Sequence, residues 1–313
     1  MKLARGKNKN LLTDIFHNPF SYLLLLPAAL YTFLFGYATM PYMVIAFENY
    51  NYQTGLLSPW VWFKNFEFFF STDGWWVVTS NTLKLNFLFI VVGTVFALFL
   101  SLLLNEIRLR RYAKTVQTVY LFPSFISWII VSYMVYALFG TQYGIINNLM
   151  QSLGIAGFKN YNWYSHPEHW TSILVSMRLW KGVGMGTVIY LAAITGIDGE
   201  LYEAAIIDGA NRYQRILHIT LPLLLPTMAI LMLMDIGKIF YGDFGMIYAV
   251  IGDASLLYPT TDVIDTYVFR ALRKTGDPSI AMAVGLYQSL IGFLLVFGVN
   301  AFTRRFFPEG ALF

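Results

Sequence analysis

The 313-residue chain contains no cysteine, which excludes disulfides, zinc–thiolate sites and a cysteine nucleophile. Charge is scarce: only 12% of residues are Asp, Glu, Lys or Arg, about half of the roughly 25% usual in soluble domains. No G-x-x-x-x-G-K-[ST] segment occurs, so the chain encodes no phosphate-cradling loop of that type. H-E-x-x-H and G-x-S-x-G are missing too, leaving no recognisable metal-activated or elbow nucleophile. No repeat, low-complexity tract or linker divides the sequence. By these patterns the chain is not an enzyme and holds no cofactor of its own.

What it has instead is apolar length, with 57% hydrophobic residues. A helix of about 20 residues crosses about 30 Å of hydrocarbon, and six segments are long enough: Phe20–Tyr42, Asn81–Leu104, Val116–Phe139, Ser172–Ile194, Pro222–Tyr241 and Ile280–Phe302. The first apolar run exceeds a signal-peptide core and has no small-residue cleavage site, so it reads as a retained span. Pro27 and Pro123 fall within spans and predict kinks there. The fold class is all-α integral membrane, in one domain: 1–18 a terminal segment, 19–306 six transmembrane helices, 307–313 a tail.

Lys and Arg placement orients the bundle. Twelve of the 21 lie on one side: Lys2, Arg5, Lys7, Lys9, Arg108, Arg110, Arg111, Lys114, Arg212, Arg215, Arg304 and Arg305. Five lie on the other, and Lys84, Arg178, Lys181 and Lys238 fall in or at the edge of spans. Both termini and the segment around 196–221 are therefore expected in the cytoplasm. The net charge of +4 comes from these short clusters between apolar runs, the pattern of a membrane protein rather than a nucleic-acid binder.

Between spans 4 and 5 lies a polar, helix-friendly island, Glu203 to Pro222. Asp198 can cap a short helix through Glu200, Leu201, Ala204 and Ile207. Gly209 supplies the left-handed residue that ends it. Asn211 can cap a second piece, and Pro222 opens the next apolar run, where its missing N–H costs nothing. Small Ala204 and Ala205 flanked by Glu200, Glu203 and Asp208 suit docking in a protein groove better than anchoring in anionic lipid.

The spacing Glu203-Ala204-Ala205, three residues, Gly209, nine residues, Ile219, one residue, Leu221-Pro222 resembles the EAA loop of ABC-importer permeases. FENYNYQTGLLSPWVWFKNF at 47–66, LYPTTDVIDTYVFRAL at 257–272 and the final Ala311-Leu312-Phe313 are similar to the carbohydrate-uptake branch, polysaccharide type. The resemblance implies a type I importer permease fold in a bacterial cytoplasmic membrane. It implies ATPase coupling through Glu203, Ala204, Ala205, Asp208 and Gly209. It also implies a second permease subunit, a dimer of ATP-binding subunits that use ATP and Mg, an extracytoplasmic solute-binding protein, and an oligosaccharide as cargo. The rivals are a permease for another solute class and an ATP-independent secondary transporter, although no matching pair of broken repeats is visible.

Ionisable residues inside spans are costly and so mark function or pairing. Arg178 and Lys181 share a face of span 4, as do Asp235 and Lys238 of span 5, with Asp243 following. Two readings stand. In one, these residues line a translocation cavity with Trp180 and Tyr241 offering flat faces to sugar rings. In the other, they pair with one another: Asp235 with Lys238 along span 5, or between helices with Arg178 or Lys181. Arg and Lys in a cavity could favour an anionic, uronate-containing oligosaccharide, but the aspartates offset them and neutral oligosaccharide is slightly preferred. Gly182, Gly184 and Gly186 predict close helix packing in span 4.

Outside, 48–80 and 141–170 are rich in Trp and Tyr, as interface anchors or a docking rim. A short helix is expected at Ile145–Leu153, and Thr261 is expected to cap an amphipathic helix. His166, Glu168 and His169 supply too few ligands for a metal site, and none is assigned.

Overall fold

The computed structural model describes residues 17–107, 109–155 and 157–306. The basic cluster Lys2–Lys9, Arg108 and the terminal Ala-Leu-Phe lie outside the described residues. Within them the fold is helical, with two isolated bridges, Glu48–Trp60 and Asn51–Gly55, and no strand. An apolar chain that must satisfy its own backbone in lipid has little alternative to helix.

Helix α1 (Pro19–Thr32) runs on through a wide turn at Phe33–Tyr37 and a tight 3₁₀ stretch at Met40–Phe47. It buries none of its residues against the other described residues. Helix α2 (Lys64–Ser71) precedes the 32-residue α3 (Gly74–Asn105), which at about 1.5 Å per residue is about 48 Å long and more than spans a bilayer. Then come α4 (Arg110–Leu121), α5 (Trp128–Phe139), α6 (Ile145–Ser152) and α7 (Trp170–Thr195). Helices α8 (Gly199–Ile207) and α9 (Arg212–Arg215) form the elbow, and α10 (Leu221–Ile236) leads back across. Short α11 (Phe244–Ile251), α12 (Tyr258–Thr261) and α13 (Ile264–Arg273) precede the long α14 (Pro278–Phe306).

Four continuous helical stretches are long and apolar enough to cross a membrane: Pro19–Phe47, Gly74–Asn105, Arg212–Ile236 and Pro278–Arg305. Two bent pairs bring the count to six. The third expected span is not one rod with a mild kink. Arg111–Phe125 and Trp128–Phe139 meet at 96°, because Pro123 ends the α-helical ladder and Ser127 caps a new helix by accepting the Ile130 N–H at 3.4 Å. The fifth span also differs: helix starts at Arg212 and passes through Pro222 without a break, by way of a wide π turn at Ile216–Thr220. It ends at Ile236, so Lys238, Tyr241 and Asp243 lie beyond it.

The core falls into three clusters. One joins α3, α5, α7 and α11 around Trp170, which is fully buried. A second gathers Phe69, Val78, Phe240, Ile264 and Val284. The third, Ala97, Leu98, Tyr190, Ile194 and Leu224, lies toward the elbow. Helices α3 and α7 make the most extensive pair. Gly184 lets α4 approach α7: a Cβ there would stand 2.1 Å from the Tyr120 carbonyl oxygen. A Cβ on Gly186 would meet Ala97 Cβ at 3.0 Å, whereas one on Gly182 would meet nothing within 4 Å. Gly184 thus admits α4 and Gly186 admits α3, from different sides of α7, while Gly182 makes no such contact.

Several of the aromatics read as interface anchors are interior. Trp163 Nε1 donates to Asn147 Oδ1 and Trp170 Nε1 to the Trp163 carbonyl, each at 2.8 Å. Burial pushes the Tyr164 phenol up to about 12. Trp60, Trp62, Phe63 and Tyr143 do stay exposed. Thr261 is not the cap expected of it: it is buried and donates to the Leu257 carbonyl at 2.8 Å. Thr82 Oγ1 and Thr266 Oγ1 instead accept the first amides of α13, from Ile264 and Val263, at 3.0 Å each.

Candidate translocation cavity and coupling elbow

The elbow begins where Asp198 Oδ1 accepts the Glu200 N–H at 3.0 Å. Helix α8 ends in a Schellman arrangement: Ala210 N–H donates to the Ala205 carbonyl at 2.8 Å and Gly209 N–H to Ile206 at 3.0 Å. Gly209 sits at φ +80°, which a Cβ would make costly. Asn211 then forms a capping box with Gln214, the two bonds measuring 2.8 and 2.9 Å. Tyr202 OH lies 2.9 Å from the buried Thr220 Oγ1, and Arg212 reaches Glu106 at 3.5 Å. These bonds fix the elbow to the ends of α3 and α10.

Glu203, Ala204, Asp208 and Gly209 are exposed, and Ala205 is half-buried in a groove of about 380 Å³ with Asp208, Gly209, Arg215 and His218. Beside them stand Ile206, Ile207, Tyr213 and Leu217, all exposed, Ile207 to 86%. Sequence reading missed this apolar contribution, although bulky apolar residues flanking an acidic island were a visible signal.

At mid-span a cavity of about 330 Å³ opens between α3, α7 and α10. Its wall includes Phe89, Thr94, Arg178, Gly182, Tyr190 and Asp235. Arg178 and Asp235 thus share this wall, while Trp180, Lys181, Lys238, Tyr241 and Asp243 do not line it. Arg178 is paired with Asp243 and lies 5.9 Å from the Phe89 ring centre. The expected pairing partner, Asp235, takes part in none of the ion pairs among the described residues. Lys238 does follow it by one turn, its N–H donating to the Asp235 carbonyl at 3.0 Å, but the two side chains form no ion pair among the described residues.

Lys181 faces elsewhere. Its Nζ donates to the Ser124 carbonyl at 2.9 Å and lies 5.3 Å from the Trp128 ring centre. The amine thus satisfies a carbonyl freed at the break in the third span. Tyr241 leans against α14, where a Cβ on Gly292 would meet its ring at 3.3 Å. Trp180 and Lys238 are exposed away from the cavity wall.

Two polar side chains within apolar runs were overlooked. Asn86 Nδ2 donates to the Ile239 and Tyr241 carbonyls at 2.8 and 3.0 Å. Gln288 Nε2 donates to the Phe240 carbonyl and to Asp265 Oδ2, both at 2.9 Å. Together they hold the irregular turn after α10. Their signal was an amide inside a hydrophobic stretch, which rarely stands without a partner. Asp262 and Arg270 form a further buried pair, with bonds of 2.7 and 2.5 Å and Tyr258 4.2 Å beneath the guanidinium. Among the described residues no group of three metal-capable side chains occurs.

Residues 90–308 match the family described as binding-protein-dependent transport system inner membrane component. The chain belongs to that family. Protein LplB of Bacillus subtilis (strain 168) is 36% identical over 98% of this chain and 96% of its own length. The polygalacturonan/rhamnogalacturonan transport system permease protein YteP of the same strain is 34% identical, covering 98% and 94%. A chain from the crystal structure of a bacterial ABC transporter that imports the acidic polysaccharide alginate matches with a TM-score of 0.85. It is 32% identical and covers 95% of this chain and 99% of its own. A related structure, in complex with an alginate pentasaccharide-bound periplasmic protein, matches at 0.84 and 31% identity, covering 95% and 98%. The permease has the type I ABC importer fold, resides in the cytoplasmic membrane with multiple spans, and serves sugar or polysaccharide import.

Proposed function

We propose that this permease is one half of a heterodimeric pore for an acidic, uronate-containing oligosaccharide. The observation that carries the proposal is Arg178 on the cavity wall, in a chain whose close relatives are named for polygalacturonan and alginate. Charge counting in the spans favours a neutral cargo by a narrow margin, since Asp235 and Asp243 offset Arg178 and Lys181. With Lys181 engaged at the helix break, the relatives' cargo tips the reading to an acidic one.

In this reading residues 19–306 form the permease domain and both termini and the elbow face the cytoplasm. Two ATP-binding subunits, which alone use ATP and Mg, dock on paired elbows through Glu203, Ala204, Ala205, Asp208 and Gly209. The exposed apolar residues beside them supply buried contact area. A second permease covers α1, whose apolar surface is left exposed among the described residues. A solute-binding protein delivers cargo to the opposite end. ATP-driven closure of the ATPases brings the elbows together, and the rigid elbow-to-span bonds carry that movement to α3 and α10.

The test is uptake by proteoliposomes holding the full complex and its binding protein. Trigalacturonate should enter and the carboxyl-reduced, neutral trisaccharide should not. Uptake of the neutral sugar alone would overturn the acidic assignment.

A further inference from the structure

Arg178 is the cationic group on the cavity wall, yet its guanidinium is occupied. Asp243 comes from the turn beyond α10, and its two oxygens have separate tasks. Oδ1 accepts the Met246 N–H at 3.0 Å and caps α11, while Oδ2 takes Arg178. The pair therefore joins the fourth span to the first turn of an outer helix. It is not sealed: the side chains are 45% and 23% exposed, Arg178 being the more open. The charges around it are Asp235 on the cavity wall, Lys181 one turn along α7 but bonded to Ser124, Lys238 beyond α10, and Asp265 behind Asp243.

We infer that Asp243 is a built-in competitor for the substrate's carboxylate, a latch that occupies Arg178 until a uronate displaces it. This rests on the acidic-oligosaccharide reading. A carboxylate is the natural ligand of a guanidinium, and a second carboxylate can take its place bond for bond. Displacement leaves Asp243 anchored through its cap to Met246, so the outer helix keeps its start. A neutral sugar has nothing to offer Arg178 and leaves the latch shut. With the guanidinium occupied, the cavity wall also presents the carboxylate of Asp235, which opposes any anion that fails to open the pair. The device makes carboxylate content a condition of entry. Its cost is apparent affinity, since the observed dissociation constant is the intrinsic one divided by the fraction unlatched.

Asp243→Asn isolates the latch, because Asn caps helices about as well as Asp but gives up the charge. The experiment measures binding of trigalacturonate and of the carboxyl-reduced trisaccharide to the purified full transporter in nanodiscs, without binding protein. Asp243→Asn should tighten trigalacturonate about two- to fivefold, the size expected for releasing a partly exposed ion pair, with the neutral sugar unchanged. Arg178→Ala should weaken trigalacturonate, and Asp243→Asn should add nothing on that background. Equal effects on both sugars, or an Asp243→Asn effect that persists without Arg178, would overturn the latch and leave Asp243 a structural cap. Should wild-type transporter bind the neutral sugar alone, the acidic-cargo reading itself falls, and the latch with it.

Discussion

Lys181 Nζ lies 2.9 Å from the Ser124 carbonyl oxygen, so a lysine of the fourth span holds the breaking point of the third. The 96° bend there frees carbonyls that lipid cannot satisfy, and an amine delivered from α7 meets one of them. The ring of Trp128, at the start of the second half, adds a cation–π contact at 5.3 Å. A residue expected in the transport path is thereby a brace of the scaffold, and Arg178, three positions earlier, remains on the cavity wall.

Lys181→Met should destabilise the purified transporter by about 1–2 kcal/mol, the cost of leaving a shielded carbonyl unpaired. Thermal unfolding in detergent reads this directly. Arg178→Ala, whose partner Asp243 keeps its cap and some water, should cost less stability and more substrate affinity.

Gly184 and Gly182 should behave oppositely when given a methyl group. Gly184→Ala places Cβ 2.1 Å from backbone and should cost roughly 3 kcal/mol, seen as loss of folded protein from the membrane. Gly182→Ala meets nothing within 4 Å and should fold normally.

At the elbow, Glu203 is exposed, so Glu203→Lys should change stability by no more than about 0.5 kcal/mol while reducing recovery of the ATPase with the permease. Gly209→Pro removes the N–H that bonds Ile206 and forbids φ +80°, so it should disorder the elbow and abolish recovery. Full ATPase recovery with both variants would remove this segment from the docking surface.

Burial raises the Asp265 carboxyl above its ordinary 3.8, against the opposing pull of the Gly242 N–H and Gln288 bonds. A carboxyl that binds its proton more tightly when folded stabilises the fold at low pH. That contribution is complete below about pH 3.8 and is lost as pH rises through the raised value. Both bonds land on Oδ2, so Asp265→Asn can keep them through its carbonyl oxygen. The variant should gain stability relative to wild type as pH rises through this window, by thermal unfolding across a pH series.

The elbow was the most legible part of the molecule because its signals are local. Asp198, Gly209 and Asn211 each act within a few residues, so the cap, the left-handed turn and the capping box follow from chain order alone. Span lengths were legible for the same reason, through hydropathy. The bend at Pro123 was visible only as a kink, since the Lys181 amine that meets a carbonyl there comes from 57 residues away. Charge pairing was least legible. Asp235 and Lys238 are three apart and joined by a backbone turn, yet their side chains form no ion pair among the described residues. Asp243 found Arg178 across 65 residues, which periodicity cannot reveal. The outer aromatics show a similar limit, since Trp170 and Trp60 look alike in sequence while one is core and the other exposed.

The central claim is that this chain is one permease half working through separate ATPases. Affinity purification from native membranes in mild detergent, with subunit stoichiometry by mass spectrometry, tests it most directly. The account predicts one distinct permease of similar size and two copies of a subunit carrying the G-x-x-x-x-G-K-[ST] loop that this chain lacks. Recovery of the chain alone or as a homo-oligomer, with no ATPase even after crosslinking at the elbow, would contradict it.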